Sequence, residues 1–150
     1  HEWNMSNLFE DRKIDRDEAK TMFFAWLYNP DSQTIETEYY NREQLLDEWY
    51  ADGHIRTPYG RTIPVDRRRA FNYLIQSTTS DRVLQKAVLL SRLLDSTESY
   101  ISHIVHDEIV IDLADEDRPL LPAIKEMFED GYKANIQAGK NYLDLEDLSI

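Results

Sequence analysis

Apolar and polar positions along the chain fall into two periods, and each predicts its own kind of element. Between Arg16 and Tyr28 the apolar residues recur at helical spacing, and Asp15 with Glu18 three positions on forms a capping-box-like start, so a helix is predicted that stops at Asn29-Pro30. Trp3, Met5, Leu8 and Phe9 predict a shorter helix within residues 1 to 14. Asn41 with Gln44 opens another, with Leu45, Leu46 and Trp49 as its apolar face and its C-cap expected at Gly53. Asp66 is placed to cap a long helix from about Arg67 to Leu94, buried through Phe71, Leu74, Ile75, Val83, Leu84, Ala87, Val88 and Leu94. A final amphipathic helix is expected from Asp115 to Asn135 on Leu120, Leu121, Ile124, Met127, Phe128 and Tyr132, with Pro119 in its first turn.

Elsewhere the pattern is of the β type. His54 to Pro64 sets a Pro-Tyr-Gly turn between two short arms flanked by Arg56 and Arg61. Ser102 to Leu113 brackets the acidic step Asp107-Glu108 with Ile104-Val105 and Ile109 to Ile111, which predicts a hairpin with buried strands and a polar apex. Asp31 to Tyr40 reads as loop, Ala138 to Tyr142 as a turn, and the acidic tail Asp144 to Ile150 as partly ordered. The expected fold class is therefore α+β, mainly helical with small antiparallel hairpins.

Composition narrows this picture. The 150 residues suit one domain able to bury a core, although 31% are charged. The absence of Cys excludes disulfides and thiolate metal sites. With no run of 18 apolar residues and no signal-peptide pattern at H-E-W-N-M, a soluble intracellular protein without a membrane partner is expected, and an excised piece rather than a complete chain. The net charge of −12 argues against a polyanion partner until its distribution is examined. Residues 54 to 92 carry eight basic groups (Arg56, Arg61, Arg67, Arg68, Arg69, Arg82, Lys86, Arg92) against Asp66 and Asp81 alone, so any phosphate-binding surface is expected in that block.

Three groups of residues could carry chemistry. Arg16, Lys20, Phe24 and Tyr28 recur every four residues and line one helix face. They form either an amphipathic stripe with core aromatics and solvated cations, or a face on which cations meet phosphates and an aromatic stacks on a base or sugar. Arg68, Asn72 and Gln76 share the same spacing on the long helix, as a solvated line or as reach toward minor-groove acceptors of a duplex. His106-Asp107-Glu108 places two like charges side by side, an arrangement that a cation would relieve. A metal-dependent hydrolase using His103 and His106 with these carboxylates is disfavoured, because on a regular strand the two His lie on opposite faces.

Taken in order, R-D-E-A-K-T-M-F-F-A-W-L-Y, T-P-Y-G-R followed by R-R-A-F-N-Y-L-I-Q-S-T-T-S-D, and V-H-D-E resemble the C-terminal half of family A (DNA polymerase I-like) DNA polymerases, phage types included. Gly139-x-Asn141-Tyr142 stands where many relatives have Gly-x-Asn-Trp. The resemblance implies fingers at about 15 to 53 and palm at about 54 to 150, in an enzyme that adds deoxynucleotides to a primer 3′ end on template DNA. Arg16 and Lys20 would then hold the incoming triphosphate, Phe24 its sugar and base, and Tyr28 the templating position. Arg61, Arg68, Asn72 and Gln76 would contact the duplex, and His106 would lie near the primer terminus. Asp107 would bind catalytic magnesium, with Glu108 supporting that site.

Against the family pattern, Asn29 replaces the Gly that usually follows the fingers-helix Tyr, and only 28 residues separate Tyr28 from Thr57. The first catalytic motif, Asp-Tyr/Phe-Ser-x-x-Glu, and the thumb belong upstream of His1; Asp31 to Glu36 has a superficially similar order but reads as loop. The chain alone is therefore expected to be inactive, its missing polymerase portion supplied in cis or by a separate chain. The alternative is a non-catalytic nucleic-acid-binding or assembly module derived from the same fold. A viral source would place the protein in the cytoplasm of a bacterial host.

Overall fold

Helix α1, Arg16–Tyr28, starts where the sequence predicts, with the Asp15 carboxylate accepting the Glu18 N–H at 2.9 Å. The computed structural model describes residues 14–32, 35, 40–131 and 133–149; the helix expected around Trp3 to Phe9 lies outside the described residues, as does Tyr132. Contacts divide the chain into two units that meet at Thr78/Thr79, and the architecture is α+β.

In the first unit, α1 is followed by α2, Arg42–Trp49, whose cap is Asn41 accepting from Gln44 N at 3.0 Å. A three-stranded antiparallel sheet comes next: β1 Tyr50–Ala51, β2 His54–Arg56 and β3 Thr62–Pro64, paired in that order. Gly53 is not the helix cap that was expected. The helix ends at Trp49, and Asp52 (φ 51°) and Gly53 (φ 76°) form the two-residue turn joining β1 to β2, the positive-φ pair for which Asp-Gly is suited. The Pro58-Tyr59-Gly60 turn closes the second hairpin as predicted, with Thr57 N donating to Arg61 O at 2.8 Å.

Helix α3, Arg67–Leu94, matches its predicted bounds. Its first part gives Ala70, Phe71 and Leu74 to a core shared with Ala19, Trp26, Leu27, Ile35, Leu46 and Ile55, in which Trp26 meets Phe71 edge-on at 4.7 Å. Its second part gives Leu90 and Leu94 to the core of the second unit, packed by Ile124 and by Ile101, Ile109 and Ile111. The expected buried face was drawn too wide, because Leu84 and Val88 are about half exposed.

The second unit continues with β4, Tyr100–Val105, and β5, Glu108–Asp112, an antiparallel hairpin. Its base is tied by Ser99, whose hydroxyl donates to Asp117 Oδ2 at 2.6 Å and accepts from Ala114 N at 2.9 Å. The single helix expected from Asp115 to Asn135 is instead a 3₁₀ turn, Asp115–Leu120, and a short α4, Leu121–Phe128. Pro119 and Pro122 remove two donors within four residues, and Gly131 (φ 75°) turns the chain away beyond the end. The acidic tail pairs rather than frays: β6, Gln137–Ala138, joins β7, Glu146–Asp147. Gly139 lets that pairing close, since a Cβ there would lie 2.2 Å from Asp144 O.

Ile55 is fully buried in the first core, as Trp26 nearly is, and Trp49 packs against it. Ile55→Ala is expected to cost about 2–5 kcal/mol of stability in urea unfolding followed by tryptophan fluorescence. A loss below about 1 kcal/mol would contradict this packing.

Candidate functional site

Helix α1 buries Ala19, Trp26 and Leu27 and leaves the four-residue stripe outside. Phe24 is 38% exposed and Tyr28 56% exposed, so the reading of these two rings as core is overturned. The rings stack at a tilt, 5.8 Å between centroids, and Lys20 Nζ lies 5.7 Å from the Phe24 centroid. Arg16 and Lys20 are exposed one turn apart, and neither makes an ion pair among the described residues. Two cations and two aromatic faces are thus presented to solvent along 13 residues of helix.

The line on α3 meets the end of this stripe. Gln76 Nε2 donates to the Tyr28 hydroxyl at 3.2 Å, and Arg68 pairs with Asp31 at 3.3 Å, two residues after the Asn29 cap. Asn72, between them in sequence, has its Oδ1 buried with no hydrogen-bond partner among the described residues. Tyr28, Arg68 and Asn72 line one cleft of about 570 Å³ together with Asn29, Arg69 and Tyr73. Arg61 does not line that cleft; its backbone N–H donates to Thr57 Oγ1 at 3.2 Å and its guanidinium to Ser77 O at 3.0 Å. Residues predicted separately on two helices are therefore brought together, with polar donors and an orphaned acceptor around a basic cleft.

Sequence reasoning passed over Arg42. Only 8% exposed, its guanidinium donates to the carbonyls of Trp26, Asn29 (3.3 Å), Pro30 and Ser32 (3.4 Å), and lies over the rings of Trp26 and Phe71 at 5.5 and 5.4 Å. A cation as the first residue of a helix opposes that helix's own dipole, and this mismatch was the available signal that Arg42 serves another element.

On the hairpin the apex is His106-Asp107, not Asp107-Glu108. Glu108 is the first residue of β5 and pairs with Val105. His106 takes φ 53°, a left-handed conformation in which His is tolerated better than most side chains. The ladder slips between Ile101 and His103, so Ser102 is an extra residue in β4. This bulge returns Ile101 and Ile104 to the face of Ile109 and Ile111, and puts Tyr100, His103, Val105, Glu108, Val110 and Asp112 on the other. The strands are less buried than expected, with Ile104 and Val105 both exposed near the tip.

The polar face holds two phenol–carboxylate pairs. Tyr142 O–H donates to Glu108 Oε2 at 2.9 Å and its ring lies 5.9 Å from that of His103; Tyr100 O–H donates to Asp112 Oδ2 at 2.8 Å. Tyr142, 34 residues from Glu108 in sequence, reaches it through the turn that follows Gly139. Asp107 is exposed at the turn and makes no hydrogen bond or ion pair among the described residues. Its carboxylate and that of Glu108 are hard oxygen donors of the kind magnesium takes. Among the described residues, however, no three His, Asp or Glu side chains converge on a metal site.

No family model matches the chain. It is similar to the DNA polymerase of Mycobacterium phage D29, 42% identical over 80 residues, which is 51% of this chain and 13% of that protein. The chain thus spans a small part of the length of this curated relative. Among the described residues no helix is long and apolar enough to cross a membrane.

A phenolate beside a carboxylate is repelled and loses its donated hydrogen bond, so Glu108 holds the Tyr142 hydroxyl above the ordinary tyrosine value of 10.0, and Asp112 does the same for Tyr100. Folding favours the protonated phenol, so what these bonds contribute is complete below pH 10.0 and lost as the pH rises through the raised values. In a ¹³C-tyrosine NMR titration, two resonances are expected to ionise late, and Glu108→Ala should return the Tyr142 step toward 10.0. A Tyr142 resonance unmoved by that substitution would contradict the contact.

Proposed function

We propose that this chain is the fingers-and-palm portion of a family A DNA polymerase, with fingers at about 15 to 53 and palm at about 54 to 150. The observation that carries the reading is the exposed stripe of α1. Rings kept out of a core that lies directly beside them, ordered behind two cations, are suited to a ligand with phosphates at one end and a flat base at the other. In this reading Arg16 and Lys20 hold the triphosphate of an incoming deoxynucleotide, Phe24 lies against its sugar and base, and Tyr28 guards the templating position. The similarity to a phage DNA polymerase supports the same direction.

Arg61, Arg68, Asn72 and Gln76 then contact the minor groove of the primer–template. Gln76 and Arg68 would exchange their bonds to Tyr28 and Asp31 for bonds to DNA, while the orphaned Asn72 Oδ1 gains a donor. Asp107, with Glu108 beside it, would hold magnesium, which supplies the positive charge that phosphoryl transfer requires when bound. Tyr142 keeps the Glu108 carboxylate on the outer face of the hairpin, and His106 stands at the turn near the primer terminus. Two carboxylates do not complete a two-metal site; in this reading the remaining ligands would come from an upstream polymerase portion carrying Asp-x-Ser-x-x-Glu.

Single-nucleotide incorporation on a primer–template, with the upstream portion present, tests this. Lys20→Ala is expected to raise the nucleotide KM about tenfold while the primer–template Kd stays within about twofold. Asp107→Asn should lower incorporation at least about a thousandfold with the same Kd. Phe24→Tyr should admit dideoxynucleotides as chain terminators. Incorporation that withstands Asp107→Asn refutes the site; DNA binding without any incorporation favours a non-catalytic module of the same fold.

A further inference from the structure

The C-terminal turn of α1 lacks the usual backbone solution. Asn29 caps it in an extended conformation, φ −103° and ψ 108°, so the chain does not fold back through a left-handed residue to satisfy the last carbonyls. Asn29 N reaches Ala25 O at 3.0 Å, and Asn29 Oδ1 accepts from Asp31 N at 3.1 Å, which orders the turn but leaves the carbonyls beyond Ala25 to other donors. Arg42 supplies a donor to one of them, Trp26 O in the last turn, and also reaches Pro30 and Ser32 O and, beside the Ser32 N–H, Asn29 O in the segment that follows.

We infer that Arg42 is the positioning residue of the nucleotide-binding stripe, a buried guanidinium that locks the end of α1 and thereby fixes Tyr28. The inference rests on the proposed polymerase function and names a residue that sets its substrate geometry. Burying a guanidinium is costly unless it is hydrogen-bonded, and here both terminal nitrogens donate to backbone carbonyls on either side of the end of α1, while Nε is buried without a hydrogen-bond partner among the described residues. The rings of Trp26 and Phe71 flank it, so the same cation joins α1, the 29–32 segment and α3. Tyr28 lies within this clamped stretch and bonds to Gln76 on α3. Freedom at the end of α1 would let the Tyr28 ring shift along the base it guards. A lysine cannot replace the fork, since one ammonium cannot reach carbonyls spread across four positions.

The test compares Arg42→Lys and Arg42→Met with the unchanged protein in the intact polymerase, reading nucleotide KM, kcat, misincorporation and primer–template Kd. Arg42→Met is expected to raise the KM for the correct nucleotide about tenfold and misincorporation several-fold, with primer–template Kd within about twofold; Arg42→Lys should fall between the two. Wild-type KM and misincorporation in both variants would overturn the inference, as would equal losses in KM and duplex Kd, which mark general destabilisation. Should Arg42→Met fail to fold, the constants of Arg42→Lys decide. No incorporation by the unchanged polymerase would instead remove the proposed function, and this inference with it.

Discussion

A guanidinium withdrawn from water must find its hydrogen bonds inside the protein, and the two terminal nitrogens of Arg42 do so with four carbonyls drawn from one short stretch of chain, only Nε going without a hydrogen-bond partner among the described residues. The demand organises the first unit. It requires the last turn of α1, the segment through Ser32 and the first residue of α2 to converge, and it draws in Trp26 and Phe71 as walls. Once α1 is held by its Ala19, Trp26 and Leu27 side, the opposite side has no core to face. The exposure of Phe24 and Tyr28 follows from this packing as much as from their own chemistry.

The hairpin of the second unit answers a different constraint. Four isoleucines must reach one face, but Ile101 and Ile104 are three apart, a spacing that a regular strand puts on opposite sides. The bulge at Ser102 resolves the conflict and in doing so gathers the polar residues on the other face. At the tip, a two-residue connection holds His106 at a positive φ, and backbone strain of this kind is worth connecting with function when it adjoins an exposed carboxyl group such as that of Asp107. Asp107 is left outward and Glu108 is held by Tyr142.

Where a side chain acts on its own backbone, the sequence was readable. Asp15, Asn41 and the long apolar period of α3 placed three helix starts correctly, and the Pro-Tyr-Gly turn closed the hairpin it announced. Errors arose where two local signals compete. Gly53 suits a helix C-cap and a hairpin turn equally, and its neighbour Asp52 decided for the turn. The apolar residues after Leu120 favour a long helix, but Pro122 and Gly131 confine it. Leu84 and Val88 carry the right period yet no partner element covers them among the described residues, so they stay exposed. The chemistry-bearing residues were legible by spacing and motif, whereas Arg42 and the Tyr142–Glu108 bond depend on contacts between residues far apart in sequence, which spacing cannot reveal.

Fold and candidate residues meet in one claim, that the outward stripe of α1 is a nucleotide-binding face. Photocrosslinking tests it most directly: an azido-purine deoxynucleoside triphosphate is bound to the polymerase with primer–template, illuminated, and the labelled peptide sequenced. The label is expected on the peptide from Arg16 to Tyr28, at Phe24 or Tyr28, and unmodified triphosphate should compete it away. Label confined to other peptides, or label that excess triphosphate does not displace, would contradict the account.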